Sequence, residues 1–398
     1  MKSTYKNILF ITSSFDKKGS ASIRNISLVN GLVENGINVD VLTEFWPENM
    51  VDNSLQKLIN PKVKIYKDHI KVIDAYFGNN IKASGKTQKI NFKGKALSVI
   101  KEILRQLYFF PDIDKEWIKS YSKILPYNNY DLIISSSDTK TAHFIGYALS
   151  KKYHVTWFTY WGDPWKDDMG TKGIKKIIAG HYEHKFLREA DHSFYTSKPT
   201  LVQMRSRFPE ISTMDFLKRA YLTKIVSDRG KQKSLNDDIT ISYCGSIYYG
   251  RNINSFFESL INYNATATEN KIYVEMYGVY PAELTQKYSS SYISFHGQVN
   301  YEKVREVTAN SDALLMIMND SSSNQIPGKL FDYFGTDKCI LVLAGDKRNT
   351  VENFIDSTGR CHIIHDINFD DIARWAHETY WPLEEYSSKA VASELLRY

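Results

Sequence analysis

Residues 241–263 read ISYCGSIYYGRNINSFFESLINY, and this stretch decides the fold class. It begins with an apolar run of strand length, breaks at Gly245 and Gly250, and continues with apolar residues at helical spacing. The same alternation continues down the chain, with further strands predicted at 271–278, 292–299, 313–319, 338–345 and 361–366. Apolar strands that alternate with helices predict a parallel sheet covered by helices on both faces.

The first half of the chain has the same pattern, with strands predicted at 7–14, 38–45, 62–70, 131–137, 155–161 and 192–197. Because 398 residues are too many for one ordinary core, we expect two doubly wound, Rossmann-like α/β domains that face a central cleft. The predicted boundaries are 1–205 for the first domain, 206–238 for a linker region, 239–369 for the second domain, and 370–398 for a helical tail that packs back toward the first.

The composition is that of a soluble globular protein. Hydrophobic residues make up 42% and charged residues 24%. No apolar run approaches the roughly 20 residues that span a bilayer, and the N-terminus lacks the pattern of a signal peptide. Three cysteines, Cys244, Cys339 and Cys361, stand far apart in strand-like runs, which predicts buried free thiols. We therefore expect a cytoplasmic protein.

A basic stretch covers residues 82–110. Between Lys82 and Arg105 there are seven basic residues and one acidic residue, Glu102, and apolar residues interleave with them. This pattern is typical of a peripheral contact with an anionic membrane surface. It is equally typical of a loop followed by a core-packed helix with a basic rim, so both interpretations stay open. Nucleic acid is not favoured as a partner.

Two cationic side chains stand where a phosphate group could bind. The segment NQIPGKLFDYFGTDKCILVLAGD, residues 324–346, contains a predicted helix start at Pro327 with Lys329 close behind it. A helix N-terminus and a nearby cation together stabilise phosphates. Arg251 follows Gly245 beyond the exit of a predicted strand, and its guanidinium fork suits phosphate oxygens. The alternatives are a surface lysine and an arginine that bonds to backbone carbonyls.

The same segment resembles the donor-site motif of the family 4 retaining glycosyltransferases, and the order of elements over nearly the whole chain is similar to their GT-B fold. In that family a Glu-x7-Glu element crosses from the loop into the helix, and its second acid binds the donor ribose. Asn324 and Asp332 stand at this spacing here, so both positions depart from the family pattern. Asp332 can still accept hydrogen bonds from a ribose diol, whereas Asn324 replaces the acid that contacts the sugar.

The resemblance implies a hexosyltransferase-like enzyme that moves a sugar, with retention of configuration, from a UDP- or GDP-sugar to a glycan or lipid-linked acceptor in cell-surface polysaccharide synthesis. It also implies catalytic roles for Arg251 and Lys329 at the diphosphate leaving group. Two other interpretations stay open. One is a nucleotide-sugar 2-epimerase of the same fold, which would need acidic and histidine groups for proton transfer. The other is a non-catalytic glycosyltransferase-like scaffold, which the departures at Asn324 and Asp332 permit.

Two loops of the first domain contain further candidates. Residues 13–25, SSFDKKGSASIRN, are similar to the family's glycine-rich loop, where Gly19 and Ser20 would let backbone amides approach phosphates or the acceptor. Residues 159–168, TYWGDPWKDD, place Asp163 between two tryptophans. Because tryptophan faces stack on sugars, Asp163 is the candidate acceptor-side or catalytic acid. The alternative is an Asp-Pro turn with buried tryptophans.

The sequence predicts no metal site and no cofactor besides the nucleotide-sugar substrate. The Asp-x-Asp element Asp112-Ile-Asp114 follows a proline, away from any predicted strand end, and indicates a helix-start turn. No His/Cys cluster has metal-ligand spacing. His143 stands by itself on a predicted helix, and we expect it to be structural.

Overall fold

The computed structural model describes residues 5–73, 107–126, 129–137, 139–168, 171–227, 237–247, 252–318, 326–344 and 350–398. The chain forms two units, Met1–Lys218 with Ser388–Tyr398, and Arg219–Ser387. Each unit contains one parallel sheet whose strands are connected mainly through helices. Within the described ranges, no helix is long and apolar enough to cross a membrane.

The first unit contains a 7-stranded parallel sheet with the order β3-β2-β1-β4-β5-β6-β7. Its strands are β1 (Asn7–Ile11), β2 (Asn38–Glu44), β3 (Lys64–Asp68), β4 (Leu132–Ser136), β5 (Thr156–Trp161), β6 (His192–Tyr195) and β7 (Met214–Phe216). Its helices are α1 (Ser20–Glu34), α2 (Asn53–Gln56), α3 (Lys71–Ile73), α4 (Trp117–Ser120), α5 (Thr141–Tyr153), α6 (Gly173–Glu189), α7 (Lys198–Arg207) and, at the end of the chain, α14 (Ser388–Leu395). Short 3-10 turns lie at Glu48–Met50 and Tyr121–Lys123.

Helix α1 connects the first two strands and is buried along most of its length. Its apolar residues Ile26, Val29 and Leu32 are fully buried. Gly31 lies against α14, because a Cβ there would collide with the carbonyl oxygen of Ser388. Nδ2 of Asn35 also donates to the carbonyl oxygen of Lys389 over 2.9 Å. The last helix of the chain therefore packs on the first.

The second unit contains a 6-stranded parallel sheet with the order β10-β9-β8-β11-β12-β13. Its strands are β8 (Ile239–Cys244), β9 (Ile272–Tyr277), β10 (Ile293–Phe295), β11 (Ala313–Ile317), β12 (Cys339–Leu343) and β13 (His362–Ile364). Its helices are α8 (Asn254–Thr266), α9 (Ala282–Tyr288), α10 (Tyr301–Asn310), α11 (Lys329–Tyr333), α12 (Thr350–Ser357) and α13 (Phe369–Ala376), with a 3-10 turn at Glu384–Tyr386. Both sheets contain the strands that the sequence predicts, and the first sheet adds β7, which lies within the predicted linker region 206–238.

The three cysteines are free thiols, as the sequence predicts. Cys339 is buried within β12, while Cys244 and Cys361 retain some exposure. Burial raises the pKa of each thiol to about 12, which disfavours the reactive thiolate.

Residues 219–227 fall within the predicted linker region and bond along the second unit. The amide of Tyr221 donates to the carbonyl oxygen of Tyr386 over 3.0 Å, and the amide of Ile225 donates to that of Gly335 over 2.9 Å. A Cβ on Gly335 would overlap the ring of Tyr221, so glycine permits this close approach. The segment thereby brings Arg219 next to Asp332 on α11.

Helix α11 is shorter than the sequence predicts. It has 5 residues, so Pro327 precedes the helix instead of lying in its first turn. The amide of Leu330 donates to the carbonyl oxygen of Pro327 over 3.0 Å, which closes a tight turn before the helix. At the other end, Oγ1 of Thr336 donates to the carbonyl oxygen of Tyr333 over 2.8 Å. Because a helix this short has only a small dipole, an anion at α11 would be stabilised mainly by side chains.

Candidate functional site

The candidate site lies where β8 and β9 end in the second unit. Gly245 follows β8 and Gly278 follows β9, and the amide of Gly245 donates to the carbonyl oxygen of Tyr277 over 2.7 Å. Gly278 has φ +156°, and a Cβ there would collide with the carbonyl oxygen of Gly245. The amide of Val279 donates to Oγ of Ser246 over 3.1 Å, which ties the two loops together. Glycines at these positions leave the backbone open to a close approach.

Lys329 reaches this edge from α11. Its Nζ lies 3.6 Å from the centroid of the Tyr243 ring, within the range of a cation–π contact. A Cβ on Gly245 would collide with this Nζ. The hydroxyl of Tyr243 donates to the carbonyl oxygen of Ser246 over 3.2 Å, which fixes the ring. Gly245 and Lys329, both predicted from the sequence, thus lie side by side.

Asp332 is three residues after Lys329 on α11, and residues at this spacing share one face of a helix. Its side chain is 20% exposed, so it is not a freely solvated helix residue. Nη2 of Arg219 lies 3.4 Å from Oδ2 of Asp332. Among the described residues, Oδ1 of Asp332 is buried and has no hydrogen-bond partner. Burial raises the pKa of this carboxyl to about 6, although the charges of Arg219 and Lys329 lower it.

Arg219 is a site residue that the sequence did not reveal. It is 5% exposed, and a Cβ on Gly328 would collide with its Nη1, so the guanidinium lies directly against the turn before α11. Tyr301 is a second such residue: its hydroxyl lies 3.3 Å from Oγ1 of Thr223. Burial, and then the charge of Asp332, raises the pKa of the Tyr301 hydroxyl. Both side chains lie outside any recognisable motif.

Two of the predicted residues, Arg251 and Asn324, lie outside the described residues. Their roles stay predictions from the sequence. The described part of the site has a lysine, an arginine and a carboxylate beside two closely packed glycine loops. Chemically, this arrangement can neutralise an anionic group and accept hydrogen bonds from a hydroxyl.

The first unit contains the predicted pair Gly19 and Ser20. Gly19 has φ +144°, a conformation that favours glycine, and Ser20 is the first residue of α1. Both residues are exposed, and no side chain caps the helix. The first amides of this 15-residue helix therefore have no side-chain acceptor at the cap position.

The two tryptophans that flank Asp163 do not line a sugar site, and this part of the prediction was wrong. Trp161 is 0% and Trp165 is 1% exposed. The Trp165 ring stacks on Phe110 with centroids 5.4 Å apart, and the Trp161 ring lies 4.0 Å from His143. The indoles fill the core because both have large apolar partners there, whereas Asp163 itself is half-buried. Its acceptor-side role stays a prediction.

His143 is fully buried, and its Nδ1 lies 2.8 Å from Oγ of Ser135. Burial lowers the pKa of this imidazole well below its usual value, so the ring is neutral. The structural role predicted from the sequence agrees with this environment.

Asp112 and Asp114 belong to a turn that bonds to the start of α5. Oδ2 of Asp112 accepts from the amide of Lys140 over 2.5 Å, and Oδ1 of Asp114 accepts from Oγ1 of Thr141 over 2.6 Å. Burial raises the pKa of Asp112 to about 7, and the pKa of the neighbouring Glu44 is also raised well above its usual value, first by burial and then by Asp114. Within the described residues, no group of three or more His, Cys, Asp or Glu side chains is arranged to hold a metal ion.

Only part of the basic stretch at 82–110 can be described. Residues 82–106 lie outside the described residues, so the predicted membrane contact stays a prediction. In the remainder, Tyr108 is 61% exposed, whereas Phe110 packs on Trp165.

Comparison with solved structures shows which fold the two units make. The chain is similar to TarM, a glycosyltransferase, with a TM-score of 0.59 and 9% identity over 99% of this chain and 94% of that one. The chain has the GT-B fold. It is also similar to a UDP-N-acetylglucosamine 2-epimerase (TM-score 0.52, 13% identity, 99% and 96% covered) and to S. aureus MnaA with UDP bound (0.51, 12%, 98% and 95%).

No protein-family model matches the chain, and no curated protein matches it in sequence. Identities of 9–13% to these structures show the fold alone. Because the neighbours include both a transferase and epimerases, the fold permits either activity, and the choice between them depends on the site.

Proposed function

We propose that this chain is a glycosyltransferase that takes a sugar from a nucleotide-sugar donor and passes it to a glycan or lipid-linked acceptor. One observation carries the proposal: Lys329 and Asp332 lie on one face of α11, with the lysine against Gly245 at the carboxyl edge of the second sheet. In parallel α/β sheets, ligands bind at this edge.

The proposed donor contacts follow from the chemistry of each group. Lys329 faces the diphosphate, and Arg251 would add a second cation from the loop after β8. Gly245 and Gly278 let the phosphates approach the backbone. Oδ1 of Asp332, which has no partner among the described residues, accepts a hydrogen bond from a ribose hydroxyl. A buried acceptor left unbonded costs about 1–3 kcal/mol, so a hydroxyl at this atom contributes to affinity.

The reaction needs charge stabilisation more than proton transfer at the donor. As the bond between the sugar and the diphosphate breaks, negative charge grows on the leaving oxygen, and a cation already in position stabilises it. We propose that Lys329 and Arg251 fill this role without a divalent metal. Asp163, with Gly19 and Ser20, remains our proposal for the acceptor side. Retention of configuration, and a role in cell-surface polysaccharide synthesis, rest on the resemblance to family 4.

An epimerase is the second candidate because the neighbours of the same fold include UDP-N-acetylglucosamine 2-epimerases. Epimerisation requires titratable groups that remove and return a proton at the sugar. In the described part of the first unit, His143 is fully buried, and Asp112 and Asp114 bond to the start of α5. These groups do not offer an acid and a base to a sugar, so we favour transfer.

Product analysis separates the candidates. The purified chain is incubated with UDP-N-acetylglucosamine, UDP-glucose, UDP-galactose or GDP-mannose, with and without EDTA, and the nucleotides are resolved by chromatography. A transferase releases UDP or GDP, slowly by hydrolysis and faster with an acceptor glycan, and EDTA leaves this rate unchanged. An epimerase instead yields a nucleotide-sugar in which the configuration of the sugar has changed. Binding without turnover of any donor would indicate a scaffold and contradict the proposal.

A further inference from the structure

Asp332 and Arg219 form an ion pair that involves only one of the two carboxylate oxygens. Nη2 of Arg219 lies 3.4 Å from Oδ2, whereas Oδ1 is buried and has no hydrogen-bond partner among the described residues. The arginine itself is 5% exposed. The pair is separated by 113 positions in the chain, so the contact exists only in the folded unit.

The guanidinium of Arg219 is held in place by packing in addition to its ion pair. Gly328 directly precedes α11, and any side chain there would collide with Nη1 of Arg219. Tyr301, which interacts electrostatically with Arg219, forms a hydroxyl pair with Thr223 at 3.3 Å. Among the described residues, Nε of Arg219 has no acceptor, so its ion pair with Asp332 and its packing against Gly328 are what hold the guanidinium.

The charge of Arg219 favours the ionised form of the Asp332 carboxyl over the protonated form. Among the described residues, four groups face this carboxyl electrostatically. The charges of Arg219 and Lys329 favour its ionised form, and Tyr301 and Tyr333 are neutral because the pKa of each hydroxyl is raised, first by burial. A carboxylate accepts hydrogen bonds at both oxygens, whereas a protonated carboxyl has one oxygen that donates. Burial alone pushes Asp332 toward the protonated form, and the guanidinium opposes this.

We propose that Arg219 is a positioning residue of the donor site, which holds Asp332 as a carboxylate and occupies Oδ2 so that Oδ1 is presented to the ribose hydroxyls of a nucleoside diphosphate. The inference rests on the proposed function, because it assigns a role within the same donor site. It predicts that discrimination for the ribose diol depends on a residue that does not touch the ribose.

The test compares UDP with its 2′,3′-dideoxy analogue by isothermal titration from pH 5.5 to pH 9. The ratio of the two affinities is used because it cancels ionisation of the phosphates. Wild type is expected to bind UDP at least tenfold more tightly at pH 8, and this ratio should fall as pH drops through the pKa of Asp332, about 6. Asp332→Asn has no titratable group at this position, so its ratio should be lower than that of wild type at pH 8 and should not change with pH.

Arg219→Gln should lose most of the discrimination at pH 7 and recover part of it at pH 9, because the pKa of Asp332 rises when the guanidinium is removed. Arg219→Lys, which keeps the charge, should fall between this variant and wild type. The matched control is Arg374→Gln, which removes an exposed arginine that bonds to Asp371 in the same unit. A purely structural role for Arg219 would not produce recovery at high pH.

Gly328→Ala provides a second variant in case Arg219→Gln does not fold. It displaces the guanidinium by collision while keeping the charge in the chain, and the same loss of discrimination is expected. If wild type discriminates and either folded variant keeps the wild-type ratio and pH midpoint, the inference is overturned while the proposed function stands. If wild type binds neither UDP nor GDP, the donor site itself is wrong, and both proposals fall together.

Discussion

Replacing Lys329 by methionine removes the ammonium group while keeping a long, unbranched side chain. Two unit charges about 4 Å apart attract by about 4 kcal/mol at an effective dielectric of 20. Desolvation of the ammonium and the phosphate offsets part of this, and hydrogen bonds to charged groups contribute a net 1.5–3 kcal/mol or so. The dissociation constant for UDP should therefore rise roughly 10- to 150-fold. The fold should survive, because the cation–π contact between the buried ammonium and Tyr243 contributes about 2 kcal/mol, less than the roughly 5–15 kcal/mol that stabilises a typical domain.

Isothermal titration with UDP at low and moderate salt measures this effect. Gly245→Ala is a second perturbation, since its methyl group would collide with Nζ and move the ammonium away without removing it. Lys287→Met is the matched control, because Lys287 is an exposed lysine of the same unit that pairs with Glu258 over 2.9 Å. The reasoning is refuted if Lys329→Met and Gly245→Ala, both folded, bind UDP within twofold of wild type.

Three further predictions concern the first unit and the basic stretch. Trp165→Ala should lower the free energy of unfolding by about 3–5 kcal/mol, measured by denaturant titration, while Trp381→Ala, at a tryptophan that is 57% exposed, should change it little. Because the folded-state pKa of Glu44 is raised, wild type should lose stability as pH rises from about 4.5 toward that pKa, by up to about 1.4 kcal/mol per pH unit. Glu44→Gln should weaken this slope above pH 4.5, and an unchanged slope would argue against a buried neutral carboxyl. Wild type should sediment with anionic vesicles at low salt and not with neutral ones, whereas replacing Lys86, Lys89, Lys93 and Lys95 by glutamate should abolish sedimentation; failure of wild type to bind would favour an ordinary packed helix.

The two sheets could be predicted from the sequence because most of their strands are short apolar runs, and such a run can be recognised from neighbouring residues alone. The approach of Lys329 to Gly245 was predictable for a related reason: carboxyl ends of neighbouring parallel strands share one edge, so the loops that follow them meet there. The length of α11 was not, because the turn at Pro327 and the turn at Thr336 compete with helical bonds at both ends.

The two failures at the candidate sites have one physical origin. Arg219 contacts Asp332 across 113 positions, and no local pattern marks an arginine that will lie against a glycine far along the chain. The tryptophans flank Asp163 and could stack on a sugar, which suggested a sugar site, yet both rings are buried against Phe110 and His143. Residues far along the chain determine the environment of Arg219 and of the two tryptophans, and the neighbouring sequence does not show which residues these are.

The central claim is that a nucleoside diphosphate binds at the carboxyl edge of the second sheet, and hydrogen–deuterium exchange with and without saturating UDP tests it on the unmodified chain. We predict slower exchange in peptides that cover 243–247, 276–279 and 326–333, with no change in β1 or β2 of the first unit. Protection confined to the first unit, or unchanged exchange in all three segments while UDP is bound, would contradict the claim.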